Sequence, residues 1–430
     1  MKLFPHQQEA LRQTEGFQNI GIFHDMGLGK TFTGSEAMLR FGNSVNLIVC
    51  QKSKIQDWCD HFDLYANEYH NFNMVYDLTN KHALEAFFNV IADHGYTQTI
   101  IGIINYELAW RRKQLLQLQR FTLMLDESSL VQNPKAKQTK FILKLKPSNV
   151  ILLSGTPVGG KYENLWSQCH LLGWGITQHG FDNTYVNWTK IQSAGIIHKI
   201  VNKNNPYKNT ERLKSKLREY GAVFLKTEEV MDLPDQIFQK IFVDKSPEYR
   251  VFQKHRIIQI RDLELVGDST LTKLLYSRQL CGQYSKTKLQ AVEDLIQSTQ
   301  DRLIIFYNFD AELEALRKIC IKLHRPVSEI NGHTKDLTAY DTETNSITLC
   351  QYQSASKGLN LQKCNRIIYF TLPLFSEHFE QSKKRIHRIG QDRTCFYYLL
   401  ICKDTVEEKI LEILEERKDY TDALFEEQDP

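Results

Sequence analysis

The chain has 430 residues, 42% of them hydrophobic and 24% charged, a balance that suits two or three domains with cores of their own and excludes a disordered polymer. Its formal charge of +3 leaves nucleic acid open, because a local basic groove fits inside a near-neutral total. Nine cysteines without a CxxC pair, no HExxH or Cys/His ligand cluster, no apolar run of transmembrane length and no signal-like leader in MKLFPHQQEA argue against a disulfide scaffold, a structural zinc site and a membrane anchor, and predict a soluble, cytoplasmic protein.

From the N-terminus, NIGIF (Asn19–Phe23) reads as a buried strand. HDMGLGKT then turns into the helical pattern TFTGSEAMLRFG. Gly27, Gly29, Lys30 and Thr31 thus follow a strand and open a helix, which is the setting of a phosphate cradle for ATP. Glycines let backbone N–H groups face the anion, the helix N-terminus adds its dipole, lysine reaches the outer phosphates, and the Thr31 hydroxyl would meet Mg²⁺. His24 stands where the strict phosphate-loop pattern has its first glycine.

NLIVC, TIIGIIN, FTLMLD and NVILLSG are the next strands, separated by helical stretches, so a parallel sheet covered on both faces is expected. FTLMLD delivers Asp126 and Glu127 to a strand end. Asp126 would hold Mg²⁺ and Glu127 would polarise the attacking water, since in-line phosphoryl transfer is mostly positioning and charge stabilisation. Lys52, Lys54, Lys135, Lys137 and Lys140 lie just beyond strand ends and are candidates for sequence-independent phosphate contacts with nucleic acid. Tyr106 and the run FYYLL (Phe396–Leu400) read as core rather than as base-stacking platforms.

The strand–helix rhythm weakens from about 173 to 220, where a helical insertion is expected, and the domain junction falls near Asp235. This divides the chain into 1–235 and 236–430. RLIIFYN, SITLCQY, RIIYF and CFYYLLIC are strands of a second sheet. QSKKRIHRIGQDR reads as helical, placing Arg385 and Arg388 three residues apart on one face, where two guanidinium groups suit a γ-phosphate held by the other domain. The last helix carries Ile410, Leu411 and Leu414 at helical spacing and should dock on the second sheet.

At this point the ordered motifs resemble the SNF2-like ATPases of helicase superfamily 2 over nearly the whole chain. LFPHQQEAL is similar to the family's N-terminal element, which implies that Gln7 contacts adenine, and DMGLGKT matches its phosphate loop, adding Met26 and Leu28 to the nucleotide contacts. LIVCQKSKIQDW, IINYE and DESSLVQNPKAKQTK resemble the next three motifs. LLSGTPVGGKYENLW implies a coupling role for Ser154, Gly155 and Thr156. SASKGLNLQKCNRIIYF implies a nucleotide contact at Gly358, and the RIGQ ending, which sets this branch apart, implies a coupling role for Gln391. Ser129 departs from the family's usual histidine, which bears on coupling of hydrolysis to nucleic acid, Phe4 stands in place of an arginine, and Ser356 and Lys357 in place of glycine.

The resemblance implies two tandem RecA-like lobes, each a mostly parallel sheet flanked by helices. It also implies ATP and Mg²⁺ as cofactors, and a motor that translocates on double-stranded DNA by opening and closing its lobes. A strand-separating DNA or RNA helicase, and a catalytically weak clamp or scaffold, are the alternatives. The expectation is a monomeric bare motor of bacterial or phage type, with duplex DNA and replication or recombination proteins as partners.

Overall fold

The computed structural model describes residues 3–69, 72–94, 99–193, 196–260, 263–355 and 359–425. The chain divides into two compact units, Met1–Met231 with Asp419–Pro430, and Asp232–Lys418.

The first unit is built on strands β1 (Asn19–His24), β2 (Val45–Cys50), β3 (Phe72–Asp77), β4 (Thr99–Asn105), β5 (Phe121–Asp126) and β6 (Asn149–Leu153). After them come β7 (Trp188–Ser193), β8 (Ile196–Val201) and β9 (Ala222–Leu225). Seven of these form one parallel sheet in the order β3-β4-β2-β5-β6-β1-β9. Its strands are mostly apolar on both faces, because both faces are covered. Val45, Leu47 and Val49 pack into one cluster with Ile100 and Ile104, while the alternate residues Ile48, Cys50, Ile101 and Ile103 pack into another.

The segment expected as a helical insertion is mixed. Helices Gln178–Tyr185 and Thr210–Glu219 flank the antiparallel hairpin β7–β8. The cause is legible afterwards: IIHKIV is rich in β-branched side chains that fit a pleated surface better than a helix.

The second unit carries β10 (Gln236–Val243), the hairpin β11 (Ile257–Ile260) and β12 (Leu263–Val266), then β13 (Leu303–Tyr307) and β14 (Val327–Ile330). It continues with β15 (Lys335–Asp336), β16 (Ile347–Gln351), β17 (Arg366–Tyr369) and β18 (Cys395–Cys402). The sheet order is β10-β18-β17-β13-β16-β14-β15, parallel except for β14–β15. Each unit therefore has the mostly parallel, helix-flanked architecture of a RecA-like lobe. Ile410, Leu411 and Leu414 of the helix Val406–Phe425 pack with Ile367, Tyr369, Leu399 and Ile401 of β17 and β18, as the periodicity predicts. Tyr397, in the run read as core, is fully buried.

One buried acid in this unit gives a pH prediction. Glu312 is fully buried, and one of its oxygens accepts from the amides of Asn308 and Phe309 and from the Thr371 hydroxyl. Burial outweighs these bonds and pushes its carboxyl up to about 7 from 4.5. With the folded value raised, the stabilising contribution is complete below about pH 4.5 and is lost as pH rises through about 7. Amide exchange of β13, corrected for its intrinsic pH dependence, is expected to show protection falling by up to about 3 kcal/mol between pH 5 and 8. Glu312→Gln should flatten that slope; a slope unchanged in the variant assigns it elsewhere.

Candidate functional site

The phosphate-loop candidate leaves the end of β1 at His24 and enters the helix Lys30–Phe41. Gly27 and Gly29 sit at φ 92° and 72°, a region that glycine enters without a Cβ penalty. At Gly29 a Cβ would also collide with the Gln7 side-chain amide, which would have to give up its bond to the Gly29 carbonyl. Gln7 itself is buried, and its amide donates to the Gly29 carbonyl at 3.1 Å while its oxygen accepts the Phe4 amide at 2.9 Å. It thus braces the loop directly. His6 lies 3.1 Å from the Leu28 carbonyl, and Asp25 accepts from the Thr227 hydroxyl at 3.0 Å, tying the loop's start to the segment after β9.

Lys30 donates to the carbonyls of His24 at 2.9 Å and Asp25 at 3.1 Å, which holds its ammonium over the loop. Burial and then the nearby Lys30 charge pull His24 down to about 3, so it is neutral and serves through its carbonyl. A Cβ on Gly155 would stand 3.0 Å from Met26 Cγ and 3.4 Å from Lys30 Nζ. The Ser154–Thr156 turn therefore lies against the phosphate loop, and any side chain at 155 would crowd it. The Ser154 hydroxyl accepts the Thr156 amide at 3.1 Å, closing that turn. Thr31 is half-buried in the first turn of the helix, whose N-terminal amides face the same loop.

The carboxylates follow from β5. Asp126 is its last residue, pairing in register with Leu153 of β6. Its carboxylate accepts the Trp58 indole N–H at 2.9 Å. Burial raises its pKa, against the lowering effects of that bond and of Lys54 and Lys30. Glu127 turns the chain at φ 53° and ψ 61°, a left-handed conformation that costs a non-glycine residue about 1–2 kcal/mol. Tyr106 is buried, as expected of a core residue, yet its hydroxyl does more than pack. It donates to the Asp126 carbonyl at 2.9 Å and lies 3.5 Å from the Glu127 carbonyl. The glycine-lined turn, the lysine and the oxygen donors Thr31 and Asp126 fit a nucleoside triphosphate with Mg²⁺, a hard cation that takes oxygen ligands.

The lysines proposed for nucleic acid follow β2 and β5. Lys52, Lys135, Lys137 and Lys140 are exposed, and Lys137 caps the Trp110 ring at 5.1 Å. Lys54 is paired with Asp57 at 2.6 Å.

In the second unit the helix Ser376–Lys383 stops before the arginines, which is a correction to the helical reading of 381–393. The chain closes there through turns, with the Arg385 amide bonded to the Ser382 carbonyl and the Gln391 amide to the Arg388 carbonyl, and it passes Gly390 at φ 89°. Arg385 is buried and Arg388 half-buried, with Arg388 donating to the Leu359 carbonyl at 3.3 Å. Gln391 donates to the carbonyls of Gln362, Cys364 and Ile386 at 2.9–3.2 Å, knotting the turn to the segment before β17. Gly358, Ser356 and Lys357 lie outside the described residues.

Sequence reasoning left Gln168 and Thr227 unmarked. Gln168 is the one amide in the helix Trp166–Leu171, beside buried Ser167 and Cys169, and a polar residue at a core position was the signal it gave. No linear pattern joins Thr227 to Asp25. The fold also gathers Cys281, Cys402 and Glu407 within 4.8 Å, which the cysteine spacing does not suggest, although both Glu407 oxygens are bonded to Lys288.

Comparison with known proteins agrees with the motifs. The SNF2-related domain family matches residues 6–288, and the helicase conserved C-terminal domain family matches 287–390. An uncharacterised ATP-dependent helicase of Mycoplasma pneumoniae is 23% identical over 96% of this chain and 41% of its own length. The uncharacterised ATP-dependent helicase YqhH of Bacillus subtilis is 24% identical, covering 96% of this chain and 78% of that one. Among solved structures, the Sulfolobus solfataricus SWI2/SNF2 ATPase core in complex with dsDNA is 21% identical, covers 98% of this chain and 92% of that chain, and has a TM-score of 0.46. The chain spans about 40% of the length of the first curated relatives it matches.

Proposed function

The chain belongs to the SNF2-related family, and on that premise we propose that it is a duplex-DNA-stimulated ATPase that translocates on double-stranded DNA. The observation that carries this reading is the placing of Gly155 against Lys30, where any Cβ would crowd the ammonium, with the half-buried carboxylate of Asp126 close enough to feel the Lys30 charge.

In this mechanism the amides of Gly27 to Thr31 and the Lys30 ammonium cradle the β- and γ-phosphates. Thr31 and Asp126 would hold Mg²⁺, which would supply positive charge to the phosphate oxygens. Glu127 orients and deprotonates the attacking water. Gln7 braces the loop and reads adenine with Met26 and Leu28 nearby. Arg385 and Arg388 would serve as arginine fingers for the γ-phosphate, and Gly358 is a further candidate nucleotide contact. Ser154, Gly155, Thr156 and Gln391 pass the nucleotide state on to the DNA-holding surface. Exposed Lys52, Lys135, Lys137 and Lys140 take duplex phosphates without reading sequence. Repeated closure on ATP and opening after hydrolysis then yields directional stepping.

ATP turnover measured with duplex DNA, single-stranded DNA and RNA side by side tests this. Duplex DNA is expected to stimulate at least about tenfold more than RNA, while a fluorescently labelled duplex stays paired. RNA stimulation or strand release would favour a helicase, and absent turnover would favour a clamp.

A further inference from the structure

We infer that Gln168 is a positioning residue that couples the Ser154–Pro157 turn to the Asp126–Glu127 carboxylates through a buried hydrogen-bond relay. The inference rests on the ATP-hydrolysis reading of this site and deepens it.

The Ser128 hydroxyl donates to the Gln168 side-chain oxygen at 2.8 Å, and the Gln168 amide donates to the Pro157 carbonyl at 2.6 Å. Ser128 and Gln168 are both fully buried, and Pro157 is buried as well. The orientation of the amide is fixed chemically. A carbonyl only accepts, so the nitrogen must face Pro157, which leaves the oxygen to accept from the serine.

Position gives the relay its meaning. Ser128 immediately follows Glu127, the residue held in a left-handed turn. Pro157 immediately follows Thr156, in the turn whose Gly155 abuts Lys30. Both ends are thus one residue from the machinery, on loops that leave the neighbouring parallel strands β5 and β6. Gln168 arrives from a helix forty residues on and closes the gap between those loops with one rigid planar amide. On the other side Tyr106 holds the Asp126 carbonyl at 2.9 Å. The carboxylate turn is therefore held from two directions, and the Gln168 bond links it by side chain to the 154–157 turn. A shift of that turn displaces the Pro157 carbonyl, draws the amide with it, and re-aims Ser128 and the adjoining Glu127. A misplacement of about 1 Å at a catalytic group costs on the order of a hundredfold in rate.

The experiment compares four proteins: wild type, Gln168→Leu, Ser128→Ala, and the Ser128→Ala/Gln168→Leu double variant. Each is measured for thermal stability, for Kd of a fluorescent ATP analogue, and for kcat and KM with saturating duplex DNA. Gln168→Leu strands a buried serine hydroxyl and the Pro157 carbonyl, so both stability and kcat fall. The double variant removes the stranded hydroxyl and should regain much of the stability. Its kcat is expected to stay at least about tenfold below wild type with Kd and KM within about twofold, because the two loops are no longer joined. Ser128→Ala, the mildest change, should lower kcat in the same sense, and it carries the test if the leucine variants fail to fold. Recovery of kcat together with stability in the double variant would mean that Gln168 merely packs, and would overturn the inference. So would wild-type kcat in Ser128→Ala. A wild-type protein without ATP turnover would instead sink the hydrolysis reading and the relay with it, which separates the two failures.

Discussion

Glu127→Gln is expected to bind ATP within about twofold of wild type and to turn it over about a thousandfold more slowly. Glutamine has the shape of glutamate and can still orient a water, but it cannot accept the proton that the attacking water must lose. The proposed phosphate cradle lies on a different loop, braced by Gln7 at the Gly29 carbonyl, so binding has no reason to change. The strained backbone at 127 is held through main-chain carbonyls by Tyr106, and the substitution leaves those bonds in place. Single-turnover hydrolysis beside equilibrium binding of a fluorescent analogue separates the two quantities. Turnover within about tenfold of wild type would remove Glu127 from the proton-accepting role. Binding lost along with turnover would mean that the carboxylate turn and the cradle fold as one piece.

The second large effect concerns stability. Lys288 and Glu407 form a buried ion pair, exposed by 0% and 2%, with the ammonium 2.6 Å from both carboxylate oxygens. Glu407 also accepts the Cys402 amide at the end of β18, so the pair pins the last helix to the sheet. Burial by itself would lower the Lys288 pKa, and the carboxylate overrides it, so the ammonium stays charged. Lys288→Met leaves a buried carboxylate without its partner, which costs about 3–5 kcal/mol. Lys288→Met/Glu407→Gln should recover at least half of that, since no charge is then stranded. Every tryptophan lies in the first unit, at positions 58, 110, 166, 174 and 188, so indole fluorescence does not report on this site. Amide exchange of β18 in the full chain does. A loss below about 1 kcal/mol in the single variant would show that water reaches the pair.

Much of the candidate site is legible in the sequence because its parts are contiguous. Strand, glycine turn, lysine and helix follow one another from Asn19 to Phe41, and the acidic pair sits at a strand end. Such pieces obey local rules of periodicity and turn chemistry. Where the reading failed, a local rule met competition. The 381–393 stretch has helical spacing, yet the amides of Arg385 and Gln391 close turns there, and the Gln391 side chain donates to two carbonyls of another segment, Gln362 and Cys364, as well as to Ile386 within the stretch. The insertion is polar enough to suit a surface helix, yet the β-branched run Ile196–Val201 pairs with Trp188–Ser193 as a hairpin.

The sequence by itself determined the alternation of the main parallel strands with helices, the glycine–lysine turn between β1 and its helix, the place of the acidic pair at a strand end and the family, because each of these is written in residues close along the chain. Only the tertiary structure decided which distant residues serve them. Trp58 reaches Asp126 across 68 residues, Gln168 reaches Ser128 across 40, and Lys288 reaches Glu407 across 119. Such pairings depend on which strands become neighbours and which side chains are then sealed from water. That is settled by packing the whole sheet at once, and a buried polar group takes the partner the packing brings to it.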